Sequence, residues 1–118
     1  MLFRSVVPHP FDFLRKTAFH IGEDESGLAD AIEVFNSRCL FQSCNRRAGE
    51  YAKAHNLPGV AGSDAHYADE VGSAGVVVGD KDILSAIKLG RLEVFGTRCS
   101  PVVHMRTKAR KVLGRLHP

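Results

Sequence analysis

Short apolar runs alternate with helical patterns along the whole chain, and this alternation most constrains what it can fold into. Ser5-Val6-Val7 reads as a strand closing at Pro8-His9-Pro10. Residues 11–19 place Phe11, Leu14, Ala18 and Phe19 at helical spacing. Residues 31–35 are a strand by their β-branched and aromatic content. Asn45 then reads as the N-cap of a helix carrying Ala48, Tyr51, Ala52 and His55 on one face and ending at Asn56. Further strands are expected near 58–62, 75–78 and 92–95, and Asp80 or Asp82 caps a helix over 83–89 that closes at Gly90. Loops are expected at 22–27 and 37–43. The pattern predicts an α/β fold of about four to five parallel strands joined by crossover helices.

At 118 residues the chain suits one small domain, and 44% hydrophobic with 25% charged residues excludes disordered and fibrous classes. Its longest apolar stretches fall far short of the roughly 20 residues of a spanning helix, so no membrane partner is expected. Residues 1–7 lack the apolar core of a signal peptide. Cys39, Cys44 and Cys99 are odd in number and irregularly spaced, which argues against a disulfide framework and for a cytoplasmic location. The formal net charge of +3 hides a division. Arg106, Lys108, Arg110, Lys111 and Arg115 give the tail after residue 100 a charge of +5, leaving 11 basic residues against 13 acidic ones before it. Such a tail suits either a solvated helix or contact with nucleic acid.

In parallel α/β sheets, sites lie at the carboxyl ends of the strands. Three predicted strand ends deliver ligand-type side chains: His9, then Glu33 to Asn36, then Asp64 with His66. In an extended Asp64-Ala65-His66 segment, residues two apart face the same side, so a carboxylate and an imidazole share one cavity. Singly, each has a plainer reading: Ser63 or Asp64 as a helix cap, His9 as a loop residue between prolines. Together they favour a metal site.

The string Gly62-Ser63-Asp64-Ala65-His66 resembles the last metal-binding motif of the polymerase and histidinol phosphatase (PHP) superfamily. Val7-Pro8-His9-Pro10-Phe11-Asp12 looks like its histidine-proline motif. Ala31 to Asn36, Asn45, residues 48–54, 70–76 and 83–91 are similar to the PHP-associated C-terminal region. The likeness covers roughly residues 5–98. It implies the C-terminal half of a distorted (β/α)7 TIM-like barrel, binding two or three divalent ions (zinc, manganese or iron) and hydrolysing phosphate esters. Carried over by position, His9, Asp64 and His66 are the expected metal ligands and hence the catalytic set. Glu33, Asn36, Arg38 and Ser63 are expected around the pocket, with Arg38 either meeting phosphate or lying on the surface.

The opening His-x-His strand of that superfamily is absent, and His20, His55, His104 and His117 do not replace it by spacing. The expected organisation is therefore a partial PHP domain over residues 6–98 and a basic, helical tail over 99–118. Residues 1–5 read like translated adapter sequence, a non-native scar. The expected function is that of a fragment of a metal-dependent phosphoesterase acting on small metabolites, nucleotides or nucleic-acid ends. The alternatives are a catalytically silent PHP-like scaffold and a nucleic-acid-binding module using the tail.

Overall fold

The computed structural model describes residues 5–16, 19–79 and 81–116. Strands β1 (Val6–Val7), β2 (Ala31–Asn36) and β3 (Gly59–Gly62) form a parallel sheet with β2 in the centre. The register pairs Val7 with Ile32, Glu33 with Val60 and Asn36 with Gly62. It shifts between Glu33 and Phe35, so that Val34 is an extra residue on β2. All three strands run the same way, and their carboxyl ends, at Pro8-His9, Asn36 and Ser63-Asp64, lie along one edge.

Helix α1 (Gln42–Ala54) crosses from β2 to β3. Its buried residues Cys44, Asn45, Ala48, Tyr51 and Ala52 recur at helical spacing and form the face laid on the sheet. The core gathers Val7, Ile21, Ala29, Ile32, Ala48, Tyr51 and Ala52, flanked by Phe11, Val34 and Leu57. The Tyr51 hydroxyl donates to the Gly22 carbonyl at 2.8 Å, fastening the 3-10 segment at Glu23–Leu28 over this core. The end of α1 is set by Asn56, at φ 53°, after which the Leu57 N–H returns to the Ala52 carbonyl at 2.8 Å.

Asn45 is not the N-cap expected of it. Helix α1 begins at Gln42 after Phe41, which places Asn45 within the helix and 7% exposed. Its side chain is spent on β2 instead. Asn45 Oδ1 accepts the Asn36 N–H at 3.0 Å, and Asn45 Nδ2 donates to the Asn36 carbonyl at 3.2 Å. Residues 11–16, expected to be helical, form turns, while Thr17 and Ala18 lie outside the described residues.

The barrel expectation fails in the second half of the chain. Strands β4 (Ala74–Val77) and β5 (Glu93–Gly96) form a separate two-stranded antiparallel sheet, and among the described residues there is no closed parallel barrel. A crossover helix must cover a sheet face with an apolar stripe. Helix α2 (Ile83–Lys88) buries only Ala86 and leaves Ile83 and Leu84 exposed, so it covers no such face. Its start is capped by Asp82, which accepts the Ser85 N–H at 3.1 Å. The strand pair packs against the parallel sheet through close approach: the Phe35 ring leaves no room for a Cβ at Gly96. The tail residues 102–116 form helix α3 (Val102–Leu116). Among the described residues, no helix is long and apolar enough to cross a membrane.

Asn45 bonds two backbone groups of the buried Asn36 at once, so truncating it leaves the Asn36 N–H unpaired and its carbonyl with only the Cys39 N–H at 3.2 Å. Asn45→Ala is expected to lower unfolding stability by about 2 kcal/mol, read as a lower urea midpoint with an unchanged slope.

Candidate functional site

The residues that end the three parallel strands form one connected polar cluster. Asn36, 1% exposed, is its centre. Its Nδ2 donates to Glu33 Oε2 at 3.1 Å and lies 3.4 Å from Asp64 Oδ2, while its Oδ1 accepts the Arg38 N–H at 2.9 Å. Glu33 Oε2 also accepts the His9 N–H at 2.6 Å, which ties the end of β1 to β2. A Cβ on Gly62 would sit 2.7 Å from Glu33 Oε1, so the glycine is what lets this carboxylate lie against β3. Burial raises the Glu33 pKa above its usual value, against the lowering pull of Asn36, the His9 N–H and Arg15.

Two non-glycine residues here have left-handed backbones: His9 at φ 30° and Asp64 at φ 51°. Such conformations cost of order 1–3 kcal/mol each and are held by surrounding contacts. At Asp64 the bend replaces the extended geometry expected for Asp64-Ala65-His66. The His66 ring instead turns back, with Nδ1 2.8 Å from the Asp64 carbonyl oxygen. Asp64 and His66 are therefore not presented side by side, and Ser63 sits half-buried between β3 and the bend.

Arg15 was not singled out by the sequence, and it occupies the middle of the cluster. Its Nε donates to Asp12 Oδ2 at 3.0 Å, its Nη2 pairs with Asp64 Oδ2, and its Nη1 lies 3.4 Å from His9 Nε2. Burial first, and Arg15 second, hold the His9 pKa below its usual value. The resemblance calls for divalent ions at His9, Asp64 and His66. Among the described residues no three His, Cys, Asp or Glu side chains converge as an ion requires. Asp64 and His9 direct their acceptor atoms at a guanidinium, so the donor set in this arrangement does not fit a metal ion.

A second set of contacts lies beside the first. Arg38 is not on the surface: it is 3% exposed, and its Nη1 lies 2.7 and 2.8 Å from the two oxygens of Glu70, itself 3% exposed. Glu70 Oε2 also accepts the His66 N–H at 2.7 Å, and Arg38 Nη2 donates to Thr107 Oγ1 at 2.8 Å. One buried ion pair thus fixes the loop after β2, the backbone of the Gly62–His66 motif and helix α3. The basic helix is consequently docked against the motif. Burial alone would raise the Glu70 pKa, but the His66 N–H and Arg38 outweigh it and hold it below the usual 4.5.

Between the motif and α3 lie two adjoining hollows. One, of about 320 Å³, is lined by His66, Tyr67, Thr107, Arg110 and Lys111. The other, of about 570 Å³, is lined by Tyr67, Arg106, Ala109, Arg110, Leu113 and Gly114. The Arg106 guanidinium stacks 3.8 Å from the centre of the Tyr67 ring and pairs with Asp69 at 3.1 Å. Burial, followed by Arg38, lowers the His66 pKa and favours its neutral imidazole. No spacing in the sequence signals this surface, because Tyr67 and Arg106 are brought together only by the docking of α3.

Residues 42–92 match the family described as PHP-associated. An uncharacterized protein of Methanocaldococcus jannaschii is 41% identical over 73 residues, covering 58% of this chain. The match spans 31% of that relative's own length. No solved structure matches the chain.

Breaking a buried pair leaves an uncompensated charge. Arg38→Met is expected to cost about 3–5 kcal/mol in urea unfolding, while Arg38→Met with Glu70→Leu recovers most of that loss. Because the folded Glu70 pKa is depressed, its contribution is present above pH 4.5 and lost as pH falls through the folded value. The acid limb of stability below pH 4.5 is accordingly shallower in the double variant.

Proposed function

We propose that the chain is the C-terminal part of a PHP phosphoesterase and that it receives a phosphate ester in the hollow beside His66. The observation that carries this reading is the pair of cations lining that hollow, Arg110 and Lys111, beside the His66 imidazole. Guanidinium and ammonium groups are donors that a phosphate group recruits from side chains. Among the described residues neither Arg110, which lies 5.7 Å from the centre of the Tyr67 ring, nor Lys111 forms an ion pair with an acid. The strand-end cluster adjoins the hollow through Asp64, whose carbonyl holds the His66 ring. The three free cysteines suit a reducing compartment such as the cytoplasm.

In this reading the chain's own residues bind and orient the ester. Arg110 and Lys111 neutralise the phosphate, and Glu70 fixes the His66 backbone that borders it. The matched relative is about three times the length of the shared segment, and the proposed activity belongs to a longer protein of that kind. The test is hydrolysis of p-nitrophenyl phosphate, with Mn²⁺ or Zn²⁺ added, by the chain alone and by a longer protein containing it. The chain alone is expected to give negligible turnover. In the longer protein, Lys111→Glu should raise KM about tenfold and His66→Ala should cut kcat about 100-fold. An inactive longer protein, or an unimpaired His66→Ala variant, contradicts the reading.

One observation favours a nucleic-acid-binding role for the same surface: the larger hollow sets the Tyr67 ring among Arg106 and Arg110. Aromatic faces beside backbone-tracking cations suit unstacked bases. Fluorescence anisotropy with labelled single-stranded DNA should then show binding that weakens steeply with salt and falls in Tyr67→Leu. Binding unaffected by Tyr67→Leu would remove this reading.

A further inference from the structure

We propose that the outer face of α3 is a docking seam for an acidic amphipathic helix of a partner protein. Val102, Met105, Ala109 and Val112 follow one another at alternating intervals of three and four residues, which lines them along one stripe of the helix. Val102, Met105 and Val112 are 65, 70 and 57% exposed, and Ala109 is exposed between them. The half-buried residues of α3, Val103, His104 and Thr107, fall on the opposite side, where Thr107 meets Arg38. The stripe therefore points away from the body and toward water.

The charge along the stripe has one sign. With Val102 and Met105 as inner positions of a helix pair, the flanking positions are Arg106 on one edge and Lys108 on the other. No acidic residue follows Glu93, so the helix holds no carboxylate to answer these cations from within. Arg106 reaches Asp69 instead, in a pair whose members are 51 and 67% exposed, and exposed pairs of this kind contribute little. A second copy of α3 laid on the seam would set like charges against each other, which disfavours self-pairing. Glutamates flanking the inner stripe of a partner helix complement both edges.

The larger hollow adds a place for one anchor. Ala109 belongs both to the seam and to this recess of about 570 Å³, whose wall continues through Leu113 and the Tyr67 ring. A bulky apolar side chain from a partner helix can seat there, as interface anchors do in their pockets. A bilayer is the poorer match. Helices that lie on membranes place Trp or Phe on the apolar side, and α3 contains neither. The seam is also separate from the hollow proposed for phosphate, which none of its apolar residues lines.

The test is fluorescence anisotropy of the full chain with a labelled peptide helix of about three heptads, Leu at the inner positions and Glu at the flanking ones. A second peptide carries Lys at the flanking positions, and vesicles of phosphatidylserine and phosphatidylcholine provide an anionic bilayer. The Glu-flanked helix is expected to bind about tenfold more tightly than the Lys-flanked one, with no capture by the vesicles. Met105→Gln should weaken binding about tenfold, and Lys108→Glu should invert the preference between the peptides. No binding of the Glu-flanked helix, equal binding of both peptides, an unimpaired Met105→Gln variant or capture by the vesicles overturns the proposal. So does self-association of the chain that Met105→Gln abolishes. Should Met105→Gln lower the urea midpoint, the wild-type chain answers by NMR. The amides of residues 102–113 should shift as the Glu-flanked helix is added, and signals unchanged there at saturation overturn the proposal.

Discussion

The folded site depends on how Asn36 is satisfied. It is the last residue of the central strand, where sheet pairing ends and the chain would otherwise leave polar groups buried without partners. Asn45 reaches from α1 to close the Asn36 N–H and carbonyl, while the Asn36 amide holds Glu33 and faces Asp64. A buried, fully used amide of this kind permits one arrangement only. It therefore sets the distance between helix and sheet and, with the same side chain, the distance between two strand ends.

From this centre the polar contacts divide into two arms with different exposure. The arm through Arg15 is partly open to solvent, with that side chain 25% exposed. The arm through Arg38 and Glu70 is buried on both sides, and it reaches α3 through Thr107. Ion pairs shielded from water keep their strength, whereas exposed ones are weakened by solvent and salt. The buried arm thus positions the basic helix over the Gly62–His66 motif, and the more exposed arm ties the turn after β1 to the bend after β3.

Period and composition made the parallel half of the fold legible. The runs at 31–35 and 58–62 became β2 and β3, the crossover helix lay between them, and His9, Asn36 and Asp64 fell at strand ends. The antiparallel half was not legible, because a run such as Val76-Val77-Val78 suits either kind of ladder. The strand pair is held to the parallel sheet by long-range contacts such as the ring of Phe35 against Gly96, residues 61 positions apart. Asn45 looked like a cap because asparagine favours caps, and Arg38 looked exposed because arginine usually is. Both are buried for the same reason: each has a specific partner, Asn36 in one case and Glu70 in the other, that local patterns do not encode.

Arg15 shows why a motif and a site are different objects. The histidine-proline motif locates His9 and Asp12 by residue type, yet the basic residue a few positions on carries no signal distinguishing it from the neighbouring Lys16. Its role arises because the turn after β1 aims it across the strand ends at Asp64, 49 positions away in sequence. A guanidinium delivered there compensates carboxylates without any external ion, since Asp12 and Asp64 share one charge through two different nitrogens. The same carboxylates that resemble a metal-binding motif are therefore equally a binding motif for arginine.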